Sequence, residues 1–317
     1  MKPISQVWDS LINNLNPVYH LRRFWNRHGQ GSKVLTFHEM LCFIIVFIAL
    51  FYSFFGEFLI SFAPDATTIA PEKIVAPFES YNHILGTDIY GRDLLDVFLL
   101  GIHKNYLVAI VMLLIVGVLI VPLALVLGFY LNKDFLIRSL TAPLTVFVSL
   151  FYYFVLSALF GPTLFIAALA VFLHIVIYAF YGVYRDVVRV MDSNMVKYLL
   201  LDGASFGQVL RLVLLPTLIG KISRLLRRIL ILIVTELILI GVLQLGVSPT
   251  SVYWGNVMFQ AWKHQDLTPY ALIILTGLVS LVLYASFVIF GVVEDLVRSR
   301  IELARQGASN RYGFTRN

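Results

Sequence analysis

Residues 185–223, RDVVRVMDSNMVKYLLLDGASFGQVLRLVLLPTLIGKIS, form a polar stretch between two long apolar runs. The flanking runs, about 163–184 and 225–247, are each long enough to cross a bilayer, because about 20 helical residues span a hydrocarbon core of roughly 30 Å. The polar stretch is therefore predicted to be a loop at one face of a membrane.

This loop has the periodicity of helix and not of a simple connector. From Val196 to Leu215 the apolar residues recur at three- and four-residue spacing, and Asp202-Gly203 interrupts the pattern. We predict a short helix, a sharp turn at Gly203, and a second short helix that Pro216 ends. Both helices are expected to lie along the membrane surface.

The composition supports a membrane protein throughout. Hydrophobic residues are 59% of the chain and charged residues 13%, whereas about a quarter of a soluble domain is charged. The single cysteine, Cys42, excludes an internal disulfide and a cysteine-built metal site, and it is expected to be a packed thiol. The net charge of +6 does not by itself indicate nucleic acid, and no nucleic-acid partner is predicted.

An all-α membrane protein with about six transmembrane helices is predicted. The spans fall near 40–63, 106–131, 139–160, 163–184, 225–247 and 270–293. The segments are a polar N-terminal stretch 1–36, a first helix 37–63, an extracytoplasmic segment 64–105, a core 106–293 and a tail 294–317. For 1–36 an amphipathic surface helix and a flexible tail are both open, and no cleavable signal peptide is expected.

The distribution of basic residues predicts the orientation. Only four of the 24 Lys and Arg fall on one side, at Lys73, Arg92, Lys104 and Lys263, and the other 20 fall on the opposite side. Because Lys and Arg are retained in cytoplasmic loops, both termini and the 185–223 loop are expected to be cytoplasmic.

The predicted pair of short helices with a turn at Gly203, called the hairpin below, resembles a segment of a known family. Gly203, followed after nine residues by Val213-Leu214-Leu215-Pro216, resembles the EAA loop of ABC importer permeases, although Lys197-Tyr198-Leu199 stands where the family has Glu-Ala-Ala. In that family the loop is a coupling helix that docks in a groove of a separate ATPase. The resemblance implies coupling roles for Asp202, Gly203, Ala204, Ser205, Phe206, Gln208 and Pro216. Phe206 is expected either to plug that groove or to be buried against its own helices.

A second resemblance lies before the second span. Leu85-Gly86-Thr87-Asp88 and Gly91-Arg92-Asp93 are similar to the LGTDxxGRD signature of the dipeptide, oligopeptide and nickel permeases. Gly86 and Gly91 permit tight turns, and Thr87 and Asp88 suit the N-cap of a short helix over 89–100. These side chains either hold the local fold or, as the resemblance implies, dock a binding protein or gate the outer mouth. The residues concerned are Gly86, Thr87, Asp88, Gly91, Arg92, Asp93 and Trp254.

Two further matches extend the resemblance to about 83–298. Leu245-Gly246, Pro249 and Trp254-Gly255 are similar to a stretch between the last two spans of that family. Asp295 and Arg298 suit the family's G-D-x-x-R ending, with Glu294 in place of Gly. Helix termination by Gly and Pro and interfacial anchoring by Trp explain much of the first match.

Two ionisable residues fall inside predicted spans. Glu236 is expected either to line a substrate path or to bond to a neighbouring helix, and His174 either to be a packed neutral histidine or to share that path. The predicted spans place no Lys or Arg at the depth of Glu236.

The sequence contains no known catalytic, metal-binding or nucleotide-binding motif, so no catalytic residue, metal site or bound cofactor is predicted. Without G-x-x-x-x-G-K-[ST], ATP and Mg²⁺ are expected on a partner subunit. The resemblance, most of all to Sap-type permeases, implies a type I ABC importer permease fold in a bacterial inner membrane. It implies as partners a homologous permease in a heterodimer, two cytoplasmic ATPases, an extracytoplasmic solute-binding protein and membrane lipid. The cargo is expected to be a peptide; polyamine or metal-chelate transport, export, a secondary carrier and a membrane scaffold are the alternatives.

Overall fold

The computed structural model describes residues 36–60, 68–131, 135–145 and 147–311. The prediction of a surface helix or tail over 1–36 lies almost wholly outside the described residues. Within them the chain is helical, with one isolated antiparallel bridge, Thr87 to Asp93, and no strand. The all-α class is confirmed.

Ten α-helices lie in the described ranges. They are α1 Phe37–Leu59, α2 Leu94–Tyr130, α3 Phe135–Leu144, α4 Ser149–Phe160, α5 Leu164–Met191, α6 Asn194–Leu201, α7 Phe206–Val209, α8 Leu215–Val242, α9 Trp254–Lys263 and α10 Ala271–Arg311. Four stretches of the described chain are long and apolar enough to cross a membrane: α1, α2, α5 and residues Ala271–Val297 of α10. The count of six spans stays a prediction.

Two prolines are accommodated by widened helical turns. The π-helical segment Val116–Ile120 precedes Pro122 inside α2, and Leu210–Leu214 precedes Pro216 and joins α7 to α8. Proline lacks an N–H and its ring crowds the carbonyl four residues earlier, so a wider turn lets the helix continue past it. The prediction that Pro216 ends a helix is therefore wrong, because α8 runs through it to Val242.

The predicted span 139–160 is broken into α3 and α4. Pro143 lies in the last turn of α3, which ends at Leu144, and α4 begins at Ser149. The Tyr152 hydroxyl donates to the Leu144 carbonyl at 2.7 Å, which satisfies an acceptor that the break exposes. The tight turn predicted at Gly161-Pro162 is present between α4 and α5, with Gly161 at φ +86°.

Residues from Cys42 onward pack as one unit, and α5 is its central helix. It contacts α2, α4 and α8, and its small residues Ala167, Ala170 and Ala179 are fully buried there. Cys42 is buried, as predicted. By contrast α1 exposes Phe47 and Phe58 at 62% and 87%, as expected where a helix meets lipid.

Candidate functional site

The hairpin, residues 194–216, turns at Gly203 as predicted. Ala204 N–H donates to Leu199 O at 3.0 Å, and Gly203 N–H donates to Leu200 O at 3.1 Å. This is the Schellman pattern that closes a helix with a left-handed residue, and Gly203 has φ +79°. Glycine is required there by the backbone angle, since a Cβ would meet no atom within 4 Å.

The predicted coupling residues after the turn make local contacts. Ser205 and Gln208 form a capping box at the start of α7, with Ser205 N–H donating to Gln208 Oε1 at 2.7 Å. The Phe206 ring is half-buried and packs edge-on against Phe129, with centroids 5.0 Å apart. It also contacts Tyr130 at 5.9 Å. This geometry favours burial for Phe206 over a free apolar plug.

The three most exposed large apolar side chains of the hairpin lie on α6. Met195, Tyr198 and Leu201 are 60%, 67% and 82% exposed. Their three-residue spacing places them along one side of the helix, and Asp202 beside them is also exposed. Tyr198 lies within the Lys197-Tyr198-Leu199 triplet that departs from the family pattern, so the departure makes this surface larger and more apolar.

The loop before α2, residues 68–93, holds the Gly86 to Asp93 residues in tight turns. Gly86 has φ +81°, and a Cβ there would lie 2.8 Å from the Val75 carbonyl oxygen. Thr87 is fully buried, and its hydroxyl accepts from Val75 N–H at 2.9 Å. Gly91 has φ +71°. These residues shape the loop from within.

Asp88 and Arg92 form an ion pair that is almost wholly buried. Arg92 Nη2 lies 2.6 Å from Asp88 Oδ2, and both side chains are 5% exposed. The same guanidinium donates to Thr250 O at 2.8 Å, and the Tyr90 hydroxyl donates to Pro249 O at 3.3 Å. Burial raises the pKa of Tyr90, which keeps its hydroxyl a donor. The pair thus ties the loop to the segment between α8 and α9.

The predicted N-cap is wrong: Asp93 caps α2. Its Oδ1 accepts from Leu95 N–H at 2.7 Å, and its Oδ2 lies 2.8 Å from His83 Nδ1. A helix was predicted over 89–100, but residues 89–93 form turns. The Asp88 carboxylate accepts hydrogen bonds from the Tyr90 and Arg92 amides, which stabilises a turn in place of a helix.

Trp254 is fully buried at the start of α9. Its ring stacks on Phe98 at 5.7 Å, and its Nε1–H donates to Phe98 O at 3.1 Å. It packs α9 onto α2, so a docking or gating surface nearby would use other side chains.

His174 and Glu236 meet between α5 and α8. His174 Nδ1 lies 2.6 Å from Glu236 Oε1, and the two residues are 4% and 5% exposed. The Tyr152 ring stacks on the imidazole at 6.1 Å. In the described part of the chain, Glu236 Oε2 is buried without a hydrogen-bond partner. The sequence identified both residues as candidates but did not predict their contact. The two residues are 62 positions apart, and their contact depends on how α5 packs against α8.

Replacing Glu236 by leucine is expected to lower the stability by about 1–3 kcal/mol, because His174 then loses its buried partner. The variant Glu236→Gln keeps an amide able to bond Nδ1, so its stability should stay within about 1 kcal/mol of wild type. Thermal unfolding of the purified chain in detergent measures both. Equal losses in the two variants would show that the hydrogen bond contributes nothing.

Two polar clusters were not predicted. Glu57 of α1 contacts Lys104 Nζ, and His103 Nδ1 bonds Ser53 O at 2.6 Å, which joins α1 to α2. Glu294, where the family has Gly, lies 3.2 Å from Arg224 and joins α10 to α8. The local sequence offers no signal for such pairs, because their members lie 47 and 70 residues apart.

Known proteins resemble this chain over most of its length, although no family model matches it. The peptide transport system permease protein SapC of Haemophilus influenzae is 25% identical over 258 residues, which cover 80% of this chain and 85% of that protein. The SapC proteins of Escherichia coli and Shigella flexneri are each 23% identical over 281 residues, covering 84% of this chain and 90% of those proteins.

The similarity to these relatives covers 80–84% of the chain. The four membrane-length helices agree with a chain that crosses the membrane several times. The predicted resemblance and location are therefore confirmed: this chain is similar to the SapC peptide transport permeases, and it is a multi-pass protein of the bacterial inner membrane.

Proposed function

We propose that the chain is one of two homologous permease subunits in an ATP-driven ABC transporter that carries peptides across the cytoplasmic membrane. ATP and Mg²⁺ bind to a separate ATPase subunit, and an extracytoplasmic binding protein delivers the cargo. The names of the relatives, which are peptide transport system permeases, support the cargo class.

The observation that carries the proposal is the exposed apolar face of α6, formed by Met195, Tyr198 and Leu201. Large apolar side chains in a polar loop between membrane helices are costly to leave in water, so they indicate a protein partner. Both helices of the hairpin continue the core: α6 follows α5 after two residues, and α7 runs into α8. A partner that moves the hairpin therefore moves α5 and α8 with it.

The proposed topology is a type I importer permease with six crossings and cytoplasmic termini. The crossings are α1, α2, the broken pair α3 and α4, α5, α8 and α10. The concentration of Lys and Arg near the hairpin supports a cytoplasmic hairpin. In α8 the basic residues Lys221, Arg224, Arg227 and Arg228 all precede its apolar part, as expected for the cytoplasmic end of a span.

Cross-linking tests the coupling. A cysteine at Leu201, in a Cys42→Ala background, is expected to link to the ATPase subunit in membrane vesicles through a thiol–amine reagent, with a yield that changes when ATP is added. Tyr81→Cys is the control, since Tyr81 is fully exposed in the segment assigned to the outside. An absent ATPase adduct from position 201, or equal adducts from both positions, would contradict the proposal.

A proton-coupled secondary carrier is the second candidate, and the buried His174–Glu236 pair is the observation that favours it. Reconstitution separates the two. The purified chain alone, in liposomes with a proton gradient, is expected to move no peptide; uptake without any ATPase would favour the carrier.

A further inference from the structure

The buried His174–Glu236 pair joins α5 to α8 far from the hairpin. His174 lies roughly 25 Å along α5 from Met191, and Glu236 lies roughly 30 Å along α8 from Leu215, because a helix rises about 1.5 Å per residue. The hairpin connects the same two helices at their Met191 and Leu215 ends. Helices α5 and α8 are therefore joined at two widely separated levels.

Two buried apolar clusters lie along these helices. One packs the hairpin against the adjoining ends of α5 and α8 and includes Val187, Val213 and Leu218. The other includes Ile175 and Ile233, each within one helical turn of a member of the pair. A force applied to the hairpin thus reaches the near ends of both helices directly, whereas the far ends depend on how α5 is held against α8.

The contact between the two clusters gives little directional restraint. At Gly182 of α5 a Cβ would lie 3.2 Å from Leu225 Cδ2 of α8, so the helices approach closely there with no side chain on α5. Apolar contact is non-directional, and lipid provides no hydrophobic force that holds helices together. Packed helices can therefore slide past each other by small steps, as they do in shear motions.

The pair supplies a directional restraint. His174 Nδ1 and Glu236 Oε1 are 2.6 Å apart, and both residues are buried. The Tyr152 ring stacks on the imidazole, and the Tyr178 ring lies 6.4 Å from it, which limits the orientations of the imidazole. A shift of one residue along either helix turns a side chain by about 100°, so it would break the contact and leave both polar groups in an apolar interior.

We propose that the His174–Glu236 pair fixes the register of α5 against α8, so that movement of the hairpin reaches the outer halves of both helices as one rigid unit. The inference rests on the proposed function, in which an ATPase moves the hairpin, and adds the residues that carry this movement through the membrane. In this role both are positioning residues and act through α5 and α8. Buried polar contacts fix register in other packed helices in the same way.

Spin-label distances in the intact transporter test the register. The labels replace Phe165 and Leu239, exposed residues near the outer ends of α5 and α8, in a Cys42→Ala background. Electron paramagnetic resonance in nanodiscs compares the nucleotide-free transporter with one trapped by ATP and vanadate. In the wild type the distance between the labels should be the same in both states. In His174→Leu/Glu236→Leu it should differ between the states by about 2 Å or more.

Two further variants separate register from stability. The double-leucine variant replaces both partners by apolar groups, so neither is left buried without the other and the melting temperature should stay close to that of the wild type. Glu236→Gln keeps an amide able to bond Nδ1 and should behave like the wild type in every measurement. The matched control is Tyr106→Phe/Ser286→Ala, which removes a buried 2.6 Å hydrogen bond between α2 and α10 and should leave the label distance unchanged.

Transport efficiency provides a readout that a purely structural role would not change. Proteoliposomes with the binding protein and tritiated Ala-Leu-Ala report the amount of peptide moved per ATP hydrolysed. The double-leucine variant should lower this ratio at least about fivefold, whereas Glu236→Gln and the α2–α10 control should leave it unchanged.

The outcomes separate this inference from the proposed function. If the wild type moves the tripeptide with ATP while the double-leucine variant keeps the wild-type distance and ratio, the inference is overturned and the proposed function stands. A label distance that changes with nucleotide in the wild type, or equal losses in the double-leucine variant and the α2–α10 control, would also overturn it. Wild-type proteoliposomes that move no tripeptide would contradict the proposed function and this inference together.

Discussion

Replacing Asp88 by asparagine is expected to lower the free energy of unfolding by about 3–5 kcal/mol, the range seen when one member of a buried ion pair is removed. Asparagine retains an Oδ1 that can accept from the Tyr90 and Arg92 amides, so the turn itself can persist. Its amide N–H group, however, would face the guanidinium in place of a carboxylate oxygen at 2.6 Å. The loss therefore reports the ion pair and not the turn.

The same substitution at Asp266 is the matched control. Asp266 is exposed in the segment between α9 and α10, so Asp266→Asn should change stability by no more than about 0.5 kcal/mol. Thermal or denaturant unfolding in detergent measures both variants. Similar small changes in the two would show that the buried pair does not stabilise the loop.

The consequences of Asp88→Asn should also reach the segment between α8 and α9. Arg92 donates to Thr250 O, so a displaced guanidinium frees that carbonyl. Faster hydrogen exchange is expected around 248–256 as well as in the loop that carries the substitution. Exchange confined to 86–93 would mean that the two segments are not coupled.

Local patterns predicted the features of this chain that depend on a few adjacent residues. The turn at Gly203, the turn at Gly161-Pro162 and the location of most spans follow from periodicity and from the conformations of glycine and proline. The hairpin was predictable because Asp202-Gly203 interrupts a helical pattern, and only glycine fits the left-handed angle there easily.

The prediction failed where several local solutions compete. Thr87, Asp88 and Asp93 are all good N-caps, and the choice of Asp93 depends on His83 and on the buried Asp88–Arg92 pair. Pro143 breaks a helix whereas Pro122 and Pro216 do not, because a π-helical segment precedes only the latter two. Nothing in the residues next to each proline announced that difference.

The candidate site was predicted less completely than the fold. Glu236 and His174 were each identifiable as ionisable residues in apolar spans, but their contact depends on the packing of α5 against α8. Asn105 follows two polar residues at the start of an apolar run and looks like a helix end in sequence. Only the continuation of α2 from Leu94 to Tyr130 places it inside the packed helices.

At Gly255 helix α9 approaches helix α8 very closely. A larger residue at this position is therefore expected to lower the stability of the protein. A Cβ built on Gly255 would lie 1.9 Å from the Ile238 carbonyl oxygen and 2.8 Å from Val242 N, well inside the ordinary contact range of 3.4–4 Å. The facing residue, Gly241, would place a Cβ 2.8 Å from Asn256 N. Helices α8 and α9 thus touch backbone to backbone, which small residues permit in membrane proteins.

Gly255→Ala is therefore expected to lower stability by about 3 kcal/mol or more, at the upper end of overpacking effects. The clash is with backbone atoms of α8, so no side-chain rotation relieves it and the two helices must separate. Gly277→Ala is the matched control with the opposite expected sign. Gly277 lies in α10 with nothing within 4 Å of its Cβ position, so alanine there should stabilise the helix by up to about 1 kcal/mol.

Unfolding of the two alanine variants in the same detergent provides the measurement. Since α9 carries Trp254 against Phe98, separation of α8 and α9 should also change the tryptophan environment before global unfolding. A Gly255→Ala protein as stable as Gly277→Ala would mean that α9 is not held against α8 as described. In that case close packing would not explain the Trp254-Gly255 pair of the family pattern. The segment between α8 and α9, to which Arg92 donates a hydrogen bond, would also not be held rigidly by these two helices.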